Sequence, residues 1–120
     1  MYQVETDAAR GILRVTFRQH VSQRQAKHCR LEVEAALVQL SPGFRVLTDL
    51  SELKEMDFAC AAEIRTLMDV CREKGVAQVV RVIPDPKKDI GFGLMSLFHY
   101  GHVVPVVTCQ TLAEAMQRLA

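Results

Sequence analysis

Tryptophan is absent from this chain, and aromatic residues make up only 6% of its 120 residues. Base stacking on single-stranded nucleic acid depends on such rings, so the composition argues against that role. An excess of one charge is missing too: the net charge is +1 and the pI about 7.7. No strong field draws this chain to nucleic acid or to an anionic membrane. There is no apolar run of the roughly 18 residues that a membrane span needs. The start of the chain carries no basic-then-apolar leader pattern. These absences imply no membrane span and a cytoplasmic location. The cysteines at 29, 60, 71 and 109 form no C-x-x-C and fit no zinc spacing. Cys60 and Cys71 share one predicted helix, roughly 16 Å apart along it, and cannot pair. They read as reduced packing residues. Gly-x-Ser-x-Gly, a Walker loop and HExxH are missing as well. No cofactor or catalytic centre is implied.

What is present is an ordinary globular mixture, 49% hydrophobic and 24% charged. A chain of this length reads as one domain over residues 1–120, burying roughly two-thirds of its unfolded surface. Tyr2–Thr6 and Ile12–Phe17 alternate apolar and polar residues at a strand period, with a glycine-containing turn between them. Ser22 and Gln25 form an S-x-x-Q capping box. The helix after it places Ala26, Cys29, Val33, Ala36, Leu37 and Leu40 on one stripe. Ser41-Pro42-Gly43 ends it.

Phe44–Leu50 is the next strand. A second helix follows, with Asp57 as its expected cap. Cys60, Ile64, Leu67, Met68 and Cys71 are its buried face. Glu63, Arg65, Asp69, Arg72 and Glu73 are its wet face. Lys74-Gly75 closes it. Val76–Ile83 opens more continuously apolar than alternating, as a strand covered on both faces does. A third helix is expected from Asp89 to Tyr100, and a strand over Val103–Cys109. Thr111 and Glu114 form a T-x-x-E box ahead of a last helix whose apolar face is Leu112, Ala115, Met116 and Leu119. The order β-β-α-β-α-β-α-β-α predicts an α/β fold with a mostly parallel sheet. Right-handed crossovers are expected to put helices on both faces.

Asp49-Leu50-Ser51-Glu52-Leu53-Lys54-Glu55-Met56-Asp57-Phe58-Ala59-Cys60-Ala61 resembles, without a gap, the signalling loop of STAS domains. That is the family of the anti-sigma-factor antagonists, whose motif is D-L-S-G-V-x-x-x-D-S-S-G-L. Both aspartates match. Phe58 and Ala59 stand where the family has two serines, and Cys60 replaces the glycine. The order of elements is also that of STAS domains. The resemblance implies a STAS-like single domain and a binding loop carrying Asp49, Ser51, Asp57, Phe58, Ala59 and Cys60. It further implies a role in protein–protein contact with signalling partners. A serine of this motif is the family's phosphorylation switch, and this chain has no hydroxyl there.

Asp49 and Asp57 could hold a cation or act as acid and base. The plainer reading is that Asp49 bonds loop amides and Asp57 caps a helix. A response-regulator receiver is excluded: Gly11–His20 lacks the acidic pair and Val103–Thr111 lacks the lysine. Cys60 sits in a first helical turn, which lowers a thiol pKa, but Asp57, Glu63 and four apolar neighbours oppose a thiolate. His99 and His102 flank Gly101, so their rings need not converge on a metal. Ile90-Gly91-Phe92-Gly93 has G-x-G without the rest of a dinucleotide fingerprint.

The third helix is apolar all round. With Ile90, Leu94 and Leu97 facing the core, Phe92 and Met95 point elsewhere. Phe92, Met95, Phe98 and Tyr100, rimmed by Lys87 and Lys88, therefore read as a docking face for another protein chain or a homodimer partner. Cover by neighbouring helices is the bland alternative. A carrier or sensor of a small hydrophobic ligand, with this helix as one wall, is the rival function.

Overall fold

The computed structural model describes residues 1–85 and 103–120. The expected third helix lies outside them, with Phe92, Met95, Phe98, Tyr100, Lys87, Lys88, His99 and His102. The described elements are β1 (Tyr2–Asp7), β2 (Ile12–Val21), α1 (Gln23–Leu37), β3 (Arg45–Met56), α2 (Cys60–Lys74), β4 (Gln78–Val82), β5 (Val106–Cys109) and α3 (Leu112–Leu119). The sheet runs in the order β1-β2-β3-β4-β5. β1 is antiparallel to β2, and every later pairing is parallel. The fold is α/β with a mostly parallel sheet, as the alternation of strands and helices predicts.

Several local signals have a physical counterpart. The Ser22 hydroxyl accepts from the Gln25 amide, and the Gln25 side chain accepts from the Ser22 amide, so the capping box is formed. Ala26, Cys29, Val33 and Leu37 are the buried stripe of α1. Cys60, Ile64, Leu67, Met68 and Cys71 are that of α2. Thr111 caps α3 through its hydroxyl, which accepts from Glu114.

Helices lie on both faces of the sheet, as expected, though by another division. The two described crossover helices, α1 and α2, share one face. Each parallel strand is added on the same side of the last, so right-handed crossovers bring α1 and α2 to a single face. There they pack on Leu13, Val15, Phe17, Val46 and Val79. Among the described helices only α3, which follows the last strand, covers the other face, against Ile12, Leu47, Val80, Val82 and Cys109. Two face assignments also change. Glu63, expected in water, lies between the helices and accepts from Arg30 Nε at 2.6 Å. Met116 is 40% exposed, because it borders an open cleft between α3 and the β1–β2 hairpin.

Gly75 ends α2 at φ 99°, the left-handed cap that glycine adopts most easily. A Cβ there would stand 3.1 Å from Pro42 Cβ, in the turn whose Gly43 amide donates to the Gly75 carbonyl. Gly75→Ala should therefore cost about 1–2 kcal/mol in a denaturant titration. An unchanged midpoint would show that the turn shifts freely.

The four cysteines are free thiols and all buried. Burial pushes Cys29 and Cys71 up to about 12 from an ordinary 9.0. The folded chain thus keeps protons that the unfolded chain releases. This contribution to stability is intact below pH 9 and is lost as pH rises toward 12. Tyr2, pushed up to about 12 by its hydrogen bond to Glu32, adds the same sign above pH 10. Urea midpoints should fall steadily from pH 9 upward, and Cys71→Ala should flatten the fall. A midpoint constant to pH 11 would contradict the burial of these thiols.

Candidate functional site

The stretch Asp49–Ala61 departs most from expectation. Ser51 to Cys60 was expected to be a loop, yet β3 continues through Met56. β2 also runs on, past Phe17 to Val21, and the two pair in parallel to Val21↔Met56. The register shifts between Thr16 and Arg18 and between Gln19 and His20 explain why this was hidden. An irregular ladder breaks the two-residue period by which a strand is recognised. Leu50 is buried and Leu53 and Met56 are partly buried against the core, every third residue rather than every second. The true connection to α2 is only Asp57-Phe58-Ala59.

That connection is held from both sides. The Asp57 amide donates to the Val21 carbonyl at 3.0 Å, and Cys60 donates to the Asp57 carbonyl at 2.9 Å. Asp57 does not cap α2. The N-cap is Ala59, in helical conformation and without a side-chain bond. The carboxylate of Asp57 turns instead to His20, with 2.6 Å between Oδ1 and Nε2. His20 was not among the expected site residues. Its only sequence signal is its place at the end of the strand that pairs with β3. Gln19, just before it, has φ 55°, a left-handed conformation rare outside glycine. Such strain costs on the order of 1–3 kcal/mol and persists only where surrounding structure enforces it. Here it coincides with the second register shift and with the turn of His20 toward Asp57.

Asp49 is placed differently. It is 5% exposed and opposite Val82, where β4 ends. Its carboxylate accepts from the Ser51 amide at 3.0 Å, the Ser51 hydroxyl at 2.6 Å and Arg14 Nη2 at 3.4 Å. Asp49 and Asp57 are separated by an extended strand of roughly 20 Å or more. They share no partner and cannot clasp one cation. No group of three metal-ligating side chains occurs among the described residues.

The tip of the connection is apolar and outward. Phe58 is 96% exposed. Ala59 is exposed beside it, and Cys60 is buried beneath, its thiol reaching the Val21 carbonyl at 3.5 Å. Burial and then the charge of Asp57 raise the Cys60 thiol above its ordinary range. The thiol is a packing group under the tip. The structure thus joins Asp57, Phe58, Ala59 and Cys60, and sets Asp49 and Ser51 apart on the sheet.

The His20–Asp57 pair is about half exposed and contributes little to global stability, at most about 1 kcal/mol. Its effect should be local. His20→Ala should leave melting nearly unchanged while speeding hydrogen exchange at the Cys60 and Ala61 amides. Unchanged exchange would show that the backbone bonds alone hold the tip.

No protein-family profile matches this chain, and no curated relative does. Solved structures do. A DUF3478-family protein from Shewanella loihica PV-4, described as having a SpoIIAA-like fold, superposes with TM-score 0.74 at 15% identity, over 100% of this chain and 93% of that one. The Bacillus cell fate determinant SpoIIAA in its phosphorylated form gives TM-score 0.69 at 15% identity, over 100% of both chains. An anti-sigma factor antagonist from Mycobacterium paratuberculosis gives 0.63 at 16%, over 99% and 92%. Sequence identity this low carries the fold alone. Topology, sheet order and these superpositions agree: the chain has the STAS-like fold of SpoIIAA.

Proposed function

We propose that residues 1–120 act as one STAS-like module of regulatory protein–protein contact, without chemistry of its own and without the family's serine switch. The fold supports this, since solved chains that share it include anti-sigma-factor antagonists. The observation that carries it is Phe58. A ring 96% exposed is held at a tip pinned to β2 by the Asp57 amide and the His20–Asp57 pair. Burying such a side chain contributes roughly 1.5–3 kcal/mol, and rigid aromatic anchors dominate protein interfaces.

In this reading Phe58 and Ala59 make the contact. Asp57 and Cys60 hold them in place, and Asp49 and Ser51 brace β3 behind. With Phe58 and Ala59 at the serine positions, binding is not released by phosphorylation there. The partner is another protein chain, either a different protein or a second copy. Phe92, Met95, Phe98 and Tyr100, with Lys87 and Lys88, belong to the same proposal as a second contact, on the sequence pattern alone. A cytoplasmic setting fits a chain in which no described helix is long and apolar enough to cross a membrane.

Native mass spectrometry of the protein purified from its own cells tests the reading. A second protein chain should be retained by the wild type and lost from Phe58→Ser, with melting unchanged because the ring lies outside the core. Retention of a small apolar molecule and no second chain would favour the ligand carrier. Equal retention by both forms would remove Phe58 from the interface.

A further inference from the structure

β1 forms one edge of the sheet, and among the described residues no strand lies beyond it. What that edge presents follows from the hairpin. Met1 accepts from the Arg18 amide at 2.8 Å, and hydrogen-bonded pairs alternate along an antiparallel ladder. Gln3, Glu5 and Asp7 therefore bond β2, while the amides and carbonyls of Tyr2, Val4 and Thr6 point outward. No described residue takes these outward groups up.

Sheet edges are commonly kept from pairing by lysine or proline, by a bulge, or by an inward-pointing charge. β1 has none of these. Its register with β2 is unbroken over all six residues. The side chains it turns toward α1 are Tyr2, Val4 and Thr6, each half-buried. Its two carboxylates, Glu5 and Asp7, lie on the other face, near Arg14 at 4.0 Å and Arg10 at 3.9 Å.

We propose that β1 pairs antiparallel with β1 of a second copy, joining two sheets into one. The strand is complementary to itself in one register. With Val4 opposite the partner's Val4, the outward groups of Tyr2 meet those of the partner's Thr6. Every outward amide and carbonyl is then bonded. The same register sets Gln3 opposite the partner's Glu5, an amide donor against a carboxylate. Sliding the ladder toward the turn would set Glu5 against the partner's Glu5 and strand the outward groups of Tyr2. Sliding it the other way would strand those of Thr6. The two-fold axis of such a ladder is perpendicular to the sheet. Both copies therefore keep α1 on one face, where Tyr2, Val4 and Thr6 of each extend the apolar surface of the other. Phe58 takes no part in this contact.

A six-residue ladder is a small interface, of the weak and transient class. Sedimentation of the full chain is therefore followed up to ~1 mM, where a monomer–dimer equilibrium is expected. Hydrogen exchange at the Val4 and Thr6 amides should slow as concentration rises, while that at Glu5, already bonded to β2, should not. Gln3→Glu places like charges across the ladder on both sides of the two-fold axis and should weaken association about tenfold. Adding Glu5→Gln exchanges the pair and should restore it. Val4→Pro removes an outward donor but no bond to β2, and should abolish association. Phe58→Ser should leave it unchanged. A chain still monomeric at ~1 mM would overturn the proposal. So would a dimer that survives Val4→Pro, that dissociates in Phe58→Ser, or that leaves Val4 and Thr6 exchange unaltered. So would a loss in Gln3→Glu that Glu5→Gln does not restore. Should Val4→Pro fail to fold, the Gln3 and Glu5 exchange decides the matter.

Discussion

The parallel ladder between β2 and β3 is the constraint on which the rest of this molecule depends. It begins at Ile12↔Arg45 and ends at Val21↔Met56, far beyond the point where β4 stops opposite Asp49. Its first part is the centre of the sheet, with Leu13, Val15 and Val46 facing α1 and α2, and Ile12 and Leu47 facing α3. Its second part is a two-stranded arm. That arm brings Val21 to the amide of Asp57 and His20 to its carboxylate, and so decides where α2 begins. A slip of one residue would turn every side chain of the arm to the other face and part these groups.

Electrostatics guard this register more than they stabilise it. On the face away from α1 and α2, Arg14 lies between Glu5 and Asp49, and Arg18 bonds Gln3 and Glu52. Each pair is at least partly exposed, and such pairs contribute about 1 kcal/mol or less. Yet each links neighbouring strands only in the observed alignment. Asp49 is the exception in burial. Three donors, two of them from Ser51, satisfy it, as a buried carboxylate requires. The matched aspartate of the STAS motif is, in this chain, a structural clasp on β3.

Fold and function separate here. A STAS-like fold is a scaffold, and what a scaffold does depends on the groups placed on it. In this chain the short connection that follows β3 carries the exposed ring of Phe58 above the buried thiol of Cys60. At its far end the same scaffold leaves a cleft, where α3 is the only described helix on that face of the sheet.

The order of the described strands and helices, the capping box at Ser22, the buried stripes of α1 and α2 and the glycine stop at Gly75 were all determined by the sequence alone. Each is a local matter of period, cap or backbone conformation, legible over a few residues. The placement of α1 and α2 on one face followed from strand order, which no local pattern carries. The extension of β3 through Met56 was hidden because two register shifts replaced the strand period with a three-residue spacing. The role of Asp57 is not legible locally, because its partner, His20, lies 37 positions away in the chain. The cleft beside Arg14 was illegible for the same reason: its lining comes from the hairpin, β3 and α3. Interactions within one turn of chain are written in sequence, whereas those between distant segments exist only once the sheet has chosen its neighbours.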